Sequence, residues 1–139
     1  ILERLPAGYE LRRLDRALLE RSPHYEGTLA RYGSLENFLA HGLGVTLLRG
    51  EQTVCEVYAD MAVGGVRELG VTTQEPFRGQ GFATIACAQI IRWCEEEGNA
   101  TLWDCVDRNL ASAALADRLG FQNERKYEMM AWFKKSRER

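Results

Sequence analysis

The sequence predicts a single domain of the α/β (α+β) class, and three observations support that prediction. Its 139 residues suffice for one mixed core, and 45% apolar with 27% charged residues is the balance of a folded globular chain. The spacing of apolar residues alternates along the chain between the two-residue period of strands and the helical period. A glycine-rich segment at residues 78–83 lies between a predicted strand and a predicted helix, which indicates a crossover between parallel strands.

The first 42 residues are predicted to contain one strand and two helices with a loop between them. Pro23 ends the first helix, because a proline ring is incompatible with a continued helix. Ser34 has a hydroxyl that can cap the second helix, and Gly42 stops it. In chain order we predict a strand at 9–14, a helical stripe of Leu14, Ala17 and Leu18, a loop or irregular turn at 24–33, and a short helix with Leu35, Phe38 and Leu39 on its apolar face.

The middle of the chain is predicted to form three strands and a helix. Polar residues 49–52 separate two extended runs, which are therefore interpreted as a hairpin. Pro76 follows the third strand and cannot continue its ladder, and Gly98 stops the helix. The strands cover 45–48, 53–58 and 66–73, and the helix carries one buried stripe of Ala83, Ala86, Cys87, Ile90, Ile91 and Cys94.

The last 40 residues are predicted to add two strands and a helix. Residues 101–106 and 127–133 have the composition and period of strands. Asn109 is a suitable N-cap for the helix between them, and Gly120 can end that helix in a left-handed conformation. The predicted order is β-α-α-β-β-β-α-β-α-β.

Charge and composition narrow the function classes. The net charge is −2 with interleaved signs, whereas a protein that binds nucleic acid usually has a basic surplus, so we expect no nucleic-acid partner. No apolar run approaches the roughly 20 residues that span a bilayer, and no signal peptide is recognised, so we expect no membrane partner and a cytoplasmic protein. Because the chain starts at Ile1 and not at Met, we also expect that it lacks an N-terminal region.

The four cysteines (Cys55, Cys87, Cys94 and Cys105) are interpreted as buried thiols in a reducing compartment. None belongs to a C-x-x-C pair, and the two histidines lie far away in sequence, so no metal site is predicted.

The glycine-rich segment is the strongest candidate for a binding site. The start of a helix presents free backbone N–H groups and the positive end of the helix dipole, which favour an anion such as phosphate. Gly79 and Gly81 allow a phosphate to approach the backbone, and Arg78 adds a positive charge. A Walker loop would need Gly-Lys-Ser/Thr, and a dinucleotide site would need a third glycine, so both are incomplete here. A tight turn with no ligand, or another nucleotide site, stays open at this point.

Two motifs, taken together, resemble a known family. Residues 78–83 resemble the Q/R-x-x-G-x-G/A signature of the Gcn5-related N-acetyltransferase (GNAT) superfamily. Residues 109–121 resemble its N-x-x-A/S…L…L-G-F helix, with each spacing kept. Within this superfamily, the sequence is most similar to the zwittermicin-resistance-like subgroup. The similar segments are residues 68–73, 77–84, 103–105 and 109–112. The likeness covers about residues 43–133.

The resemblance implies one GNAT-type domain over residues 1–139. Its fold would be a mixed central sheet of about six to seven strands, flanked by about four helices, with a V-shaped split after the fourth strand. The implied reaction is transfer of the acetyl group of acetyl-CoA to a primary amine, here of a small molecule, by direct attack on the thioester. The residues assigned to acetyl-CoA are Val71, Thr72, Thr73, Arg78, Gly79, Gln80, Gly81, Phe82, Ala83, Thr84, Asn109 and Ser112.

Residue roles follow from the same resemblance. It places an acidic residue, Glu68, on the fourth strand, and a carboxylate half-buried on a strand can accept a proton near neutral pH. The family often has a tyrosine acid seven residues after Asn109, where this chain has Ala116. Tyr127 and Cys105 are therefore the candidate acids.

The amine acceptor is expected opposite the acetyl-CoA side, beside the loop between the first two helices, where His24, Tyr25, Glu26 and Tyr32 fall. Trp103 and Trp132 are interpreted as core or dimer packing, and a homodimer is predicted because homodimers are common among similar proteins.

Two alternative functions stay open. One is a non-catalytic acyl-CoA-sensing or interaction module, which the missing tyrosine favours, and the other is acetylation of a protein N-terminus or lysine.

Overall fold

The computed structural model describes residues 1–122 and 124–128. Short 3-10 helices at Leu2–Arg4 and Glu75–Phe77 accompany the main elements. These are β1 (Tyr9–Arg13), α1 (Arg16–Arg21), α2 (Tyr25–Tyr32), α3 (Leu35–His41), β2 (Leu43–Arg49), β3 (Gln52–Ala59), β4 (Val66–Thr73), α4 (Phe82–Glu96), β5 (Ala100–Leu102) and α5 (Leu110–Arg118).

The strands form one mixed sheet in the order β1-β2-β3-β4-β5. Neighbours from β1 to β4 are antiparallel, and β5 joins β4 in parallel after the crossover through α4. The predicted fold class is confirmed, as is the β2–β3 hairpin. Gly50 turns the hairpin with a positive φ of 60°, a conformation that glycine adopts without steric cost.

The strand count is lower than predicted, with five strands in the described residues in place of about six to seven. The strand predicted at 101–106 is confined to Ala100–Leu102, because β5 pairs only with the first half of β4. The strand predicted at 127–133 is wrong at Tyr127 and Glu128, which belong to no strand. Its remaining residues, with Trp132, lie outside the described residues.

The loop predicted at residues 24–33 is wrong, since Tyr25–Tyr32 form a helix. That makes five α-helices in the described chain, against about four predicted. The physical reason is packing: Tyr25, Leu29 and Tyr32 recur at helical spacing and contact the buried cluster under α1 and α3.

The sheet buries both of its faces, each against different helices. One face packs on α4 and forms the larger core, which includes Val45, Leu47, Val57 and Ile90. The opposite face packs on α1, α2 and α3 through a smaller cluster of Leu14, Leu18, Leu19, Leu35, Phe38 and Leu48.

The sheet opens after its fourth strand. Pairing between β4 and β5 ends at Glu68 and Leu102, while β4 continues to Thr73. One edge of β4 therefore has no strand beside it over its last five residues, within the described part of the chain. This opening is the split that was predicted, and α4 begins close to it.

Three of the four cysteines are buried as predicted, and Cys105 is exposed, which corrects that prediction. Cys105 falls after the end of β5, where no element covers it. Burial raises the pKa of Cys55 and of Cys94 to about 11. Among residues 1–122 and 124–128, no cluster of three or more His, Cys, Asp or Glu is arranged to hold a metal ion. No helix of that same described chain is long and apolar enough to cross a membrane.

Candidate active site

The start of α4 presents a row of free main-chain donors. Gly81 occupies the N-cap position with φ 85° and supplies no capping side chain. Within the described chain, the backbone N–H groups from Gly79 to Thr84 donate to no acceptor. Gly79 also has a positive φ of 77°, and both glycines face open space. The loop can therefore receive an anion on its backbone, as its sequence predicts.

The side chains of this loop point in different directions. Phe82 is buried and its ring stacks on Tyr9, with ring centroids 4.9 Å apart. Thr84 is also buried, whereas Gln80 is exposed and its amide reaches the carbonyl of Pro76 at 3.4 Å. A ligand at this loop would accordingly meet the main chain of Phe82 and Thr84, not their side chains.

The open edge of β4 exposes only alternate peptide groups. The backbone carbonyl of Glu68 accepts from Asp60 N–H, and the backbone N–H of Gln74 donates to the carbonyl of Val54. The even-numbered residues of β4 therefore turn their peptide groups toward β3. Strand alternation then turns the peptides of Val71 and Thr73 toward the split. The peptide group of Thr72 faces β3. Thr72, which was predicted to bind acetyl-CoA, can therefore contact it only through its exposed side chain.

Arg78 connects the loop to this edge. Its Nε donates to the carbonyl of Thr73 at 3.0 Å, and the side chain is exposed. The Thr73 hydroxyl contacts Cys55 Sγ at 3.4 Å on the α4 side of the sheet. The guanidinium therefore lies between the anion-accepting loop and the split.

Glu68 lies on β4 at the last residue pair before the split, but its side chain is exposed. The sequence prediction took it to be half-buried, and that is wrong because α1–α3 cover β1–β3 and leave β4 open on this face. Strand alternation places Gly70 and Thr72 on the same face, and both are exposed as well. These three residues form an open strip along β4.

Tyr127 lies near the same end of the site. Its hydroxyl donates to the carboxylate of Asp104. That hydrogen bond is the main reason why the pKa of Tyr127 is raised, with desolvation and the charges of Asp104 and Glu68 adding to it. The Tyr127 hydroxyl therefore keeps its proton at neutral pH. Cys105, the other candidate acid, is close enough for its charge to contribute to the same shift.

The four predicted acceptor residues lie on or beside α2. His24 Nε2 is 3.2 Å from Gln74 Oε1, just beyond β4, while the Tyr32 hydroxyl donates to Asp60 at 2.8 Å, at the opposite end of the strip. Burial, followed by the contact with Asp60, raises the pKa of Tyr32. Helix α2 therefore runs alongside the open strip of β4. Tyr25 is half-buried against the smaller core, and Glu26 is exposed.

Asn109 and Ser112 have structural contacts of their own. Asn109 Oδ1 accepts from Ser112 N–H at 3.1 Å, so it is the N-cap of α5, as predicted. Ser112 Oγ accepts from Trp103 Nε1 at 3.0 Å, and Trp103 is partly buried against the larger core. The packing role predicted for Trp103 is confirmed.

Several polar residues near the strip were missed by sequence reasoning. Glu56 is 1% exposed on β3, between apolar neighbours, and binds Ser22 and Tyr58. A charged residue at the centre of an apolar strand is a signal that the sequence contains. A groove between β1 and α3, lined by residues such as Arg12, Asp15 and Leu39, includes none of the predicted site residues.

The sheet is split beside its fourth strand, and an anion-accepting helix start lies at the split. These two features define the acyltransferase fold to which the sequence motifs point. The chain belongs to the GNAT acetyltransferase family, whose family model matches residues 1–130. The narrower resemblance to the zwittermicin-resistance-like subgroup stays a prediction, and so does a homodimer.

Individual relatives agree with this family. The chain is 30% identical over 125 residues to the uncharacterised N-acetyltransferase YdfB of Bacillus subtilis (strain 168), covering 88% of this chain and 48% of that protein. It is similar to a GCN5-related N-acetyltransferase-like protein from Streptococcus suis 89/1591, with a TM-score of 0.79 and 29% identity over 89% of this chain and 50% of that one. The chain thus spans about half the length of these two relatives.

Other solved structures share the fold at lower identity. An aminoglycoside N-acetyltransferase solved in complex with CoA has a TM-score of 0.68 at 20% identity, over 91% of this chain and 97% of that one. The ribosomal-protein-S18-alanine N-acetyltransferase from Escherichia coli has a TM-score of 0.68 at 18% identity, over 84% and 79%. Their acceptors differ widely, so the fold does not identify the acceptor of this chain.

Proposed function

We propose that this chain carries the acetyl-CoA site of an N-acetyltransferase and transfers the acetyl group to a primary amine of a small molecule. The observation that supports this most directly is the row of N–H groups from Gly79 to Thr84 that donate to no acceptor among the described residues. This row lies next to the edge of β4 that no described strand covers. Family membership makes acyl transfer the chemistry to expect at such a site.

In this proposal the pyrophosphate of acetyl-CoA binds the main chain from Gly79 to Thr84, where the dipole of the 15-residue helix α4 adds to the attraction. The pantetheine arm pairs with the peptides of Val71 and Thr73 as an added strand would. Arg78 then exchanges the Thr73 carbonyl for a phosphate oxygen. Asn109 and Ser112 keep their contacts in α5 and lie at the edge of the bound nucleotide or pantetheine.

The reaction needs a proton acceptor, an oxyanion site and a proton donor. Glu68 takes a proton from the ammonium form of the amine, whose nitrogen then attacks the thioester carbonyl carbon. A main-chain N–H at the open edge, that of Val71, stabilises the negative charge on the carbonyl oxygen. As the C–S bond breaks, the thiolate of CoA is protonated. Tyr127 is the proposed donor, because its hydroxyl is protonated at neutral pH and lies near Glu68 and Asp104 at this end of the site. The nitrogen of the tetrahedral intermediate loses its second proton to the tyrosinate left on Tyr127, and Glu68 releases its proton to solvent. The products are therefore the acetamide, free CoA and one proton.

The acceptor is proposed to lie on the strip of Glu68, Gly70 and Thr72, beside α2. The strip has two carboxylates at one end, Glu68 and the nearby Asp104, and Tyr32 lies at the same end. The carboxylate of Asp60 is paired with Arg31 and adds little charge. Negative charge attracts an alkylammonium ion and disfavours an acidic acceptor. A cationic small-molecule amine therefore fits the site better than an acidic peptide.

Calorimetric titration with acetyl-CoA tests the binding site. Gly81→Asp places a carboxylate in the loop at a position whose positive φ is strained for any residue other than glycine. We expect at least about a tenfold loss of affinity for acetyl-CoA. Gly50→Asp is the matched control, because it creates the same side chain at a positive φ in the β2–β3 turn. Equal affinity for wild type and Gly81→Asp would rule out the loop as the pyrophosphate site.

Release of free CoA with a panel of primary amines tests the reaction. We expect Glu68→Gln to lower kcat/KM by about 100-fold, a usual contribution of a general base, with the affinity for acetyl-CoA unchanged. Glu51→Gln, at an exposed glutamate in the β2–β3 turn, is the control and should retain activity. Binding without turnover of any amine would favour the acyl-CoA-sensing module over the enzyme.

A further inference from the structure

The buried carboxylate of Glu56 lies on the acceptor side of the sheet, where the proposed chemistry does not use it. Its side chain is 1% exposed, and it is opposite Thr46 on β2 and Thr72 on β4. Within the described chain it forms no ion pair. Its contacts are hydroxyl groups: Ser22 Oγ donates to Oε1 at 2.6 Å and Tyr58 Oη donates to the same oxygen at 2.8 Å.

Burial of an acidic side chain without a cation is unfavourable for stability alone. Several kcal/mol of desolvation is typical, and an apolar side chain of similar volume often gives a more stable protein. Hydrogen bonds to an ionised oxygen are short and strong, however, and they fix their donors in direction as well as distance. A buried carboxylate with two hydroxyl donors is consequently well suited to hold two elements in one arrangement.

The donors of Glu56 lead to the edge of the proposed acyl site. Ser22 lies at the junction between α1 and α2, and its Oγ also accepts from His24 N–H at 3.0 Å. The ring of His24 then contacts Gln74 at 3.2 Å, the residue directly after β4. Gln74 is itself anchored, since its N–H donates to Val54 on β3. A continuous set of contacts therefore runs from Glu56 to the position where β4 ends.

The second donor, Tyr58, also contacts α3. Its ring packs edge-on against Phe38 with centroids 5.8 Å apart, and burial with the charge of Glu56 raises its pKa to about 12. Tyr58 therefore stays a donor at neutral pH. The Tyr58 hydroxyl also lies close enough to Ser22 and Thr28 to affect its pKa, so this contact is not independent of the α1–α2 junction.

We propose that Glu56 is a positioning residue of the acceptor side, which through Ser22 fixes the α1–α2 junction so that His24 faces the end of β4. His24 in this position forms one wall of the space that the acceptor amine enters on its way to the thioester. The inference deepens the proposed acetyl transfer and rests on it for the role of His24, whereas the positioning of His24 can be tested without any turnover.

The test separates positioning from the charge itself. Glu56→Gln retains an oxygen that accepts from Ser22, Glu56→Met removes the acceptor at similar length, and Ser22→Ala removes the link to His24 while leaving Glu56 in place. Each protein is first checked by thermal unfolding, and Ser22→Ala keeps the test possible if Glu56→Met does not fold.

The readout is the imidazole C–H signal in the NMR spectrum of the free protein. The chain has only two histidines, His24 and His41, so His41 on α3 is an internal reference. We expect Glu56→Met and Ser22→Ala to shift the His24 signal, and Glu56→Gln to leave it close to its wild-type position. The His41 signal should stay unchanged in all three.

Kinetics with an amine from the panel provides the second readout. We expect Glu56→Met and Ser22→Ala to raise KM for the amine by about fivefold or more, with the affinity for acetyl-CoA unchanged. An unshifted His24 signal in Ser22→Ala, or equal damage by Glu56→Gln and Glu56→Met, would overturn the proposal. A wild-type protein without turnover would refute the proposed reaction alone, because the imidazole comparison would still decide the position of His24.

Discussion

The face of the sheet that packs on α4 is closed mostly by apolar side chains and thiols, although Arg67 and Thr84 are also buried there. The face under α1–α3 buries Glu56 and Thr46 more completely, at 1% exposure each. Val45, Val57 and Ile90 are fully buried on the first face. On the second face Glu56, Thr46 and Ser22 are buried among a smaller apolar cluster. Hydrophobic burial stabilises without directional preference, while hydrogen bonds between buried groups select one arrangement. We infer that the α4 face mainly stabilises the chain, and that the α1–α3 face mainly positions it.

The largest expected effect on stability lies on the α4 face. Ile90→Ala leaves a cavity beneath the middle of α4, and we expect a loss of about 3 kcal/mol in the free energy of unfolding. Ile91→Ala, one residue along the same helix and only partly buried, should cost clearly less. Chemical denaturation of both variants measures the difference. Equal losses would mean that full burial against the sheet adds no stability at Ile90, which would contradict the stabilising role inferred for the α4 face.

Alkaline pH gives an intermediate effect on the same face. The pKa of the buried Cys55 thiol is raised from 9.0 to about 11, mainly by burial, so the folded state holds this proton more tightly than the unfolded state does. Its contribution to stability is therefore complete below pH 9 and is lost as the pH rises through about 11. From the two values we expect a loss of about 2 kcal/mol for this group.

Urea denaturation of wild type and Cys55→Ala under reducing conditions, between pH 8 and 11, measures this loss. The variant should show a shallower decrease in stability with rising pH. Because the pKa of Tyr58 is also raised, to about 12, the variant should not become independent of pH. An identical slope for both proteins would show that the thiol is not protected in the folded state.

The smallest expected effect, with opposite sign, lies on the α1–α3 face. Thr46 Oγ1 is buried without a hydrogen-bond partner in the described chain, so Thr46→Val should stabilise the protein by about 1 kcal/mol. Thr28→Val is the matched control, because the Thr28 hydroxyl donates to the His24 carbonyl at 3.1 Å and its removal should destabilise. Thermal unfolding distinguishes the two signs. A loss of stability in Thr46→Val would indicate that its hydroxyl is paired.

Much of the fold follows from local signals that the sequence contains. The strand β4 was predicted at its observed limits, Val66–Thr73, because Gly64 and Gly65 precede it and Pro76 follows. The caps were also predictable, since a hydroxyl or amide side chain binds N–H groups only three residues away, as Ser34 does with Asn37 at 3.0 Å. Gly120 adopts φ 88° after α5, as its place after Leu119 predicted.

The candidate site was predictable only in part. The loop from Gly79 to Thr84 is local, so its free N–H groups could be expected from a glycine-rich segment before a helix. Whether the peptide group of Thr72 can bind acetyl-CoA depends on which neighbouring strand it faces. The exposure of Glu68 depends on how far α1–α3 extend over the sheet. Neither quantity exists before strands and helices are assembled.

Elements whose causes lie within a few residues are therefore predictable from the sequence: strands bounded by glycine and proline, capped helices, and the anion-accepting start of α4. The tertiary structure alone decided that residues 25–32 form a helix, which their contacts with the smaller core stabilise. It also decided that Ser22, Glu56 and Gln74 belong to one set of contacts, although 34 residues separate the first pair. Such contacts form only when the sheet and α1–α2 pack together, because their energy comes from groups distant in the chain.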